Sequence, residues 1–330
     1  MKVDEGAVFA PLTAHMESTR KTSAYEKAVD RAVAILTGAA ASMILVLIAG
    51  IFISLVIESW LAMGKFGVIG FITGTDWDPV KQVFGAATSI YGTVVTTVLS
   101  LVIAVPLALG IAVFITEIAP PRLKGTIGVA IELLASIPSI IYGMWGLFTL
   151  SPIMGTYVEP VLKRATSGLP LINKLFEGTP MGIDLLTASL ILSIMIIPFA
   201  ASISRDAFML TPAILKESAY SVGATKWEVV KDVIIPYSKT GVIGGIVLSM
   251  GRALGETMAV AFVLGNSHRI SASLFDSAST ITVTLANEFT EADGNVYLSS
   301  LFFLGLVLFA ISFAVLGAAR LLMHKARARA

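Results

Sequence analysis

The stretch GRALGETMAV, Gly251 to Val260, sets an arginine and a glutamate four residues apart, Arg252 and Glu256. Both stand inside an apolar run from about Thr240 to Leu264 that is long enough to cross a bilayer. Residues four apart share one face of a helix, so the two side chains can meet. Arginine before glutamate is the weaker order for an isolated helix pair, so helix support is a poor reason for their presence. Charges in such a place cost several kcal/mol each and should face protein or a water-filled cavity. Two readings follow. The pair either locks this run to a neighbouring helix, or forms a polar element of a path for an anion. The planar guanidinium fork of arginine suits an oxyanion, and a nearby carboxylate would weaken its grip enough for release. Thr257, Ser249, Asn266 and Ser267 are lesser candidates for the same lining, each equally a packing hydroxyl or a loop residue.

Other chemistry is sparse. There is no cysteine, so disulfides and thiol catalysis are excluded. His15, His268 and His324 are scattered, without metal-ligand spacing. No Gly-x-x-x-x-Gly-Lys-Ser/Thr loop cradles a nucleotide; Gly64 and Lys65 are adjacent, but no serine or threonine follows. No Gly-x-Ser-x-Gly elbow appears. The expectation is a chain that is not an enzyme, with no catalytic residue and no metal.

The elements that must position Arg252 are set by composition. Of the 330 residues, 56% are hydrophobic and only 14% charged, with a mean hydropathy of +0.87, which marks an integral membrane protein. Six runs have spanning length: Ile35 to Ile57, Thr88 to Ile115, Gly125 to Leu150, Ile183 to Ile203, Thr240 to Leu264 and Leu298 to Leu322. None alternates as a membrane β-barrel strand would. Pro106, Pro138 and Pro198 fall inside three of them and predict kinks or local breaks. Gly251 and Gly255 form a Gly-x-x-x-Gly in the fifth run and, with Gly241, Gly244 and Gly245, predict close helix packing. One alternating set of connecting segments holds 16 Lys and Arg, the opposite set six. That bias puts both termini in the cytoplasm: a segment 1–34 before the spans, and a basic tail at 323–330 after them. The intervening region 35–322 is a single six-helix membrane domain. On the outer side, Ser277 to Glu288 reads as a helix lying on or dipping into the membrane face.

The longest internal cytoplasmic segment, about 204–239, is more than a linker. Thr211 and Pro212 predict a helix start, with threonine as the cap. Gly223 predicts a turn between two short helices, and Thr225 with Glu228 a capping box. Trp227, Val230, Ile234 and Ile235 extend an apolar stripe that Pro236 should interrupt. The segment is either an amphipathic hairpin on the membrane surface or a docking element for a cytosolic partner. Nearby, Glu132 is expected to pair with Lys124 or Arg122. Arg205 and Asp206 read as anchors at the cytoplasmic face, or as residues positioning the loop. Ser136, with Pro138 and Pro198, is expected to shape bent helices around the path.

ESAYSVGATKWEVVKDVIIP resembles the signature loop of ABC-importer permeases, Glu-Ala-Ala, three residues, Gly, nine residues, Ile-x-Leu-Pro. The match falls on Glu217, Ser218, Ala219, Gly223, Val233, Ile235 and Pro236; Ser218, Val233 and Ile235 are mild departures. In that family the loop docks in a groove of the ATP-binding subunit. SIPSIIYGMWGLF, SISRDAF and GRALGETMAV carry the resemblance further. Residues 30–325 are similar to the C-type permeases of bacterial high-affinity phosphate importers, and Arg252 and Glu256 stand where that family keeps its charged membrane pair.

The resemblance implies an all-α polytopic fold of six spans, the MetI-like fold of type I ABC importers, in the bacterial inner membrane. It implies a related A-type permease, two ATP-binding subunits and an extracytoplasmic phosphate-binding protein as partners, besides the lipid bilayer, and no nucleic acid. ATP and magnesium would be used by the partner ATPase, with no cofactor bound by this chain. Closure of the nucleotide sites would open the path outwards to the docked binding protein, and the cycle would release phosphate inwards. Arg252, Glu256 and Thr257 would line that path. A permease for phosphonate or sulfate, or a membrane anchoring subunit without a pore, are the alternatives.

Overall fold

The computed structural model describes residues 24–328. Residues 1–23 and 329–330, with most of the N-terminal segment and the end of the basic tail, lie outside the described residues. The chain divides into two compact units, Met1–Ser54 and Leu55–Ala330.

The first unit is carried by helix α1, Ala24–Glu58. Its side chains from Lys27 to Ser54 are exposed, including Ile44, Leu45, Val46 and Leu47 on successive faces. A helix that is apolar all round suits hydrocarbon surroundings.

In the second unit, α2 (Trp60–Phe66) and α3 (Val68–Thr73) lead to a short antiparallel hairpin, β1 (Trp77–Asp78) with β2 (Val83–Phe84). Then come α4 (Ala87–Ile118), α5 (Pro121–Ala135), α6 (Ser139–Thr166) and α7 (Leu185–Met209). They are followed by α8 (Ala213–Ser221), α9 (Lys226–Leu254), α10 (Met258–Ala261), α11 (Ile281–Glu288) and α12 (Asn295–Ala328). Among the described residues, five helices are long and apolar enough to cross a membrane, or up to six if α5 and α6 form one broken span.

The third run is therefore not one straight helix. It breaks at Ser136–Pro138, where α5 and α6 turn by 85°. Proline removes a backbone donor and disfavours helical geometry before it, so the chain must leave the helix there. Ser136 Oγ donates back to Leu133 O at 2.7 Å, and Tyr142 OH bridges the break to Leu134 O at 2.9 Å. Pro106 and Pro198, by contrast, lie inside helices that continue through them. The small hairpin and a single parallel bridge between Gly265 and Ala278 depart from an all-helical expectation.

Helix α7 is the most buried of the spans and packs along α4. Ala104 and Ala108 of α4 meet Leu192, Met195 and Ile196 of α7 in the main apolar cluster. Small residues let two backbones approach closely where no water drives them together. Buried hydroxyls close on their own helix, as Thr93 on Ser89 O and Thr96 on Gly92 O, both at 2.7 Å.

Helix α9 packs on α7 through Gly241 and Gly245. A Cβ at Gly245 would lie 2.7 Å from Ile203, and one at Gly241 2.8 Å from Ala207. The pair Gly251 and Gly255 does not make that contact. A Cβ at Gly251 would meet Leu316 at an ordinary 3.4 Å, and Gly255 caps the end of α9. The close-packed Gly-x-x-x-Gly is thus the earlier one, Gly241 to Gly245, and not Gly251 to Gly255.

Helix α11 starts at Ile281 with Thr280 as its cap. Its first turn is buried rather than spread on a surface: the amide of Ile281 donates to Thr93 Oγ1 at 2.9 Å, and Thr284 meets Ser89 at 3.2 Å. Its last residue, Glu288, accepts from Trp77 Nε1 and Tyr297 OH at 2.7 Å each and meets His268 Nε2 at 3.1 Å.

Candidate functional site

Helix α9 begins at Lys226, in the middle of the motif segment, and ends at Leu254. The fifth run is shifted towards the cytoplasmic loop by this amount. Arg252 is consequently in the last turn of α9, where a cation faces the free carbonyl ends of the helix. Gly255 caps α9, with its amide 3.3 Å from Gly251 O. Glu256 and Thr257 form the break before α10.

This break separates the charged pair. Glu256 Oε1 accepts from the amide of Ala259 at 3.2 Å, and its backbone carbonyl accepts from Thr282 Oγ1 at 2.7 Å. Arg252 is exposed, with its guanidinium 5.8 Å from the centroid of the Phe199 ring on α7. That distance suits a cation–π contact. Arg252 makes no salt bridge with Glu256 or with any other carboxylate among the described residues. The shared helix face expected for the pair does not exist, because the helix stops between them.

The surroundings come from distant segments. Gly143 of α6 lies against α10 so closely that a Cβ there would be 2.7 Å from Met258 O. Thr257 is half-buried and lines a cavity of about 390 Å³ with Thr282, Leu285 and Phe302. Ser249 is spent on its own helix, donating to Gly245 O at 2.8 Å. Asn266 Oδ1 accepts from Ser279 Oγ at 2.9 Å, and the Ser267 amide donates to Ala278 O, so both hold the outer loop. Phe199 and Tyr142 carry no sequence signal that ties them to Arg252.

The motif segment folds largely as its residues dictate. α8 ends in a Schellman arrangement: the amide of Ala224 donates to Ala219 O at 3.1 Å and that of Gly223 to Tyr220 O at 3.0 Å. Gly223 has φ +91°, a conformation that glycine adopts without strain. The capping box is formed, with Glu228 accepting from the Thr225 amide at 2.7 Å and Thr225 Oγ1 accepting from the Glu228 amide at 3.4 Å. Three details differ from expectation. Pro212, not Thr211, is the residue that caps α8, and Thr211 Oγ1 is buried without a partner. The second helix is not short, because it is the start of α9. Pro236 does not interrupt it: a wide π turn at Val229–Ile234 precedes the proline and loosens the ladder its ring would strike. Glu217, Ser218, Ile235 and Pro236 are exposed, Ala219 and Val233 half-buried.

Where the C-terminal parts of α5 and α7 meet, the ion pairing also differs from expectation. Glu132 pairs with Arg205, at 2.8 Å, rather than with Lys124 or Arg122. Arg205 also holds Asp206 at 2.8 Å, and Lys124 Nζ donates to Thr116 O. The Arg205 guanidinium fits because its neighbour on α5 is Gly128, where a Cβ would lie 2.6 Å from it.

Comparison with known proteins supports the same fold. A permease of a bacterial ABC transporter involved in import of the acidic polysaccharide alginate superposes with a TM-score of 0.58 at 16% identity, covering 92% of this chain and 99% of that one. Residues 104–328 match the family described as binding-protein-dependent transport system inner membrane component. The phosphate transport system permease protein PstC of Mesorhizobium japonicum is 54% identical over 293 residues, 89% of each chain. A probable PstC of Methanocaldococcus jannaschii is 39% identical over 260 residues, 77% of this chain and 81% of its own. At 54% identity over 89% of its length, the chain belongs to the PstC family of phosphate transport permeases.

Proposed function

We propose that Arg252 is a weak stepping place for phosphate on a translocation path of which this chain forms one half. By its family the chain is the permease subunit of an ATP-driven phosphate importer, a multi-pass membrane protein, and ATP is hydrolysed by a separate subunit. The single observation that carries the site reading is that Arg252 has no carboxylate partner among the described residues and is exposed at the end of α9. A structural ion pair would have locked Arg252 to Glu256 or to a neighbour. An unpaired guanidinium beside an apolar helix is costly unless water or an anion reaches it. Its fork suits phosphate oxygens, and the Glu256 carboxylate, tied to the Ala259 amide at the start of α10, lowers the net positive charge so that the anion leaves again. Most of the affinity then belongs to an extracytoplasmic binding protein. Thr257 lines the same path.

The remaining assignments follow the motif and the charge bias. A related A-type permease completes a six-span type I assembly around the path, and both termini are cytoplasmic. Two ATP-binding subunits dock on the segment Glu217 to Pro236, where Val222 and Trp227 are 85% and 66% exposed. Exposed apolar anchors amid mixed charge suit a protein partner.

The test reconstitutes the chain with partner permease, ATPase and binding protein, and measures ATP-dependent uptake of labelled phosphate against sulfate and phosphonate. Uptake of phosphate, abolished by Arg252→Gln in a complex that still assembles, supports the reading. Preference for another oxyanion, or loss of assembly in place of transport, overturns it.

A further inference from the structure

Helix α8 is held to the rest of its unit by very little. Of its nine residues only Lys216 and Ala219 are partly buried; the others are exposed. The two are three apart and so share one face. Ala219 packs against the apolar cluster that includes Ala112, Phe208 and Val230. Lys216 makes the one ion pair of α8 among the described residues, with Nζ 2.6 Å from Glu117 Oε1 and the side chains 21% and 13% exposed. Ninety-nine residues separate them in sequence.

Glu117 stands in the π turn Phe114–Ile118 that ends α4. The extra residue in such a turn re-aims a side chain and often marks a working part of a helix. The pair borders a cavity of about 440 Å³ whose walls include the Arg205 cluster and Lys124 beside the apolar Ile115, Val129 and Met209. The ends of α4, α5 and α7 therefore meet α8 at this ion pair and a void, next to the apolar cluster that holds Ala219. An apolar anchor would be at least as stable as a partly buried ion pair. What the pair supplies is a directional link at one point, with space beside it to move.

From Glu117 the packing runs on without a gap. α4 lies along α7, and α7 carries Phe199, which faces Arg252. We infer that the Lys216–Glu117 ion pair is the positioning tie through which displacement of α8 moves α4, and with it the helices around Arg252. This rests on the reading of α8 and the start of α9 as the ATPase-docking element, and deepens it.

Physical intermediacy alone does not establish coupling, so the test reads coupling directly. The full complex is reconstituted in liposomes with Lys216→Glu, Glu117→Lys and both reversals together. Co-purified ATPase, ATP hydrolysis and phosphate uptake are measured on each. Each single reversal should keep the ATPase bound and lower uptake per ATP by about tenfold, the size of one lost coupling interaction. The double reversal should return it to within about twofold of wild type, since the pair acts as a unit. Wild-type uptake per ATP in the single reversals, or no recovery in the double, overturns the tie. Should a reversal fail to assemble, Glu117→Gln keeps shape and weakens the pair; unchanged uptake per ATP in that variant overturns the tie, and a fall supports it. Val222→Glu, on the exposed side, separates the two readings. ATPase that still co-purifies with it sinks the docking reading, whereas ATPase lost there with the reversals fully coupled sinks the tie alone.

Discussion

Arg252 and Glu256, four residues apart, face different partners: the guanidinium lies over Phe199 at 5.8 Å, and the carboxylate turns to the amide of Ala259 at 3.2 Å. The end of α9 at Leu254 is what divides them. A pair split in this way leaves Arg252 without a carboxylate partner among the described residues, as the proposed anion path requires.

The fork of Arg252 should matter beyond its charge. Arg252→Lys keeps the charge but cannot offer two parallel N–H groups. Losing one charge-assisted bond costs about 1.5–3 kcal/mol, so uptake should fall at least about tenfold while the complex still assembles. Uptake rates at saturating binding protein check this. Uptake equal to wild type would mean that charge alone suffices.

The close approach of α9 to α7 sets apart two neighbouring glycines. Gly245→Ala places a methyl 2.7 Å from Ile203, whereas Gly244 has nothing within 4 Å. Overpacking of this kind costs about 1–3 kcal/mol. Gly245→Ala should lower the thermal midpoint in detergent by several degrees, and Gly244→Ala should leave it within error. Equal midpoints for the two would contradict the packing.

The outer end of α7 should be pH-sensitive. Asp184 caps that helix through the amide of Thr187 at 2.8 Å and is fully buried beside Glu159. Burial pushes the Asp184 carboxyl up to about 7; the Thr187 amide opposes the rise and Glu159 adds to it. The folded chain then keeps a proton that the unfolded chain has lost. Stability therefore falls as pH rises from the ordinary carboxylate value towards about 7 and is flat above. Asp184→Asn still caps the helix and removes the charge. It should melt higher than wild type at roughly pH 8 and close to wild type at roughly pH 4.5, near the ordinary carboxylate value. Thermal melts at the two pH values check this, and no gain at the higher value would count against the buried pair.

Local chemistry was legible where one residue dictates its own neighbourhood. Gly223 announced a left-handed helix end, and Thr225 with Glu228 a capping box, because each acts within a few residues. Thr211 was less so, since threonine and proline both suit a helix start and only the backbone shows which one caps. Pro236 misled because its effect depends on whether the preceding turn is α or π.

What the sequence determined by itself is the medium and the motif: six apolar runs, a charge bias across them, and a spaced signature loop. Hydropathy sums over a window and so reports that a segment is at home in lipid. It is blind to where the helix within it stops, because Met258–Leu264 is as apolar as the turns before it. Tertiary structure decided that stop, as it decided the 85° break before α6. It also decided which charges meet. Glu132 took Arg205 over the nearer Lys124, and Lys216 found Glu117 far back along the chain. Ion pairs depend on distance in space, which the order of residues does not carry once helices have packed.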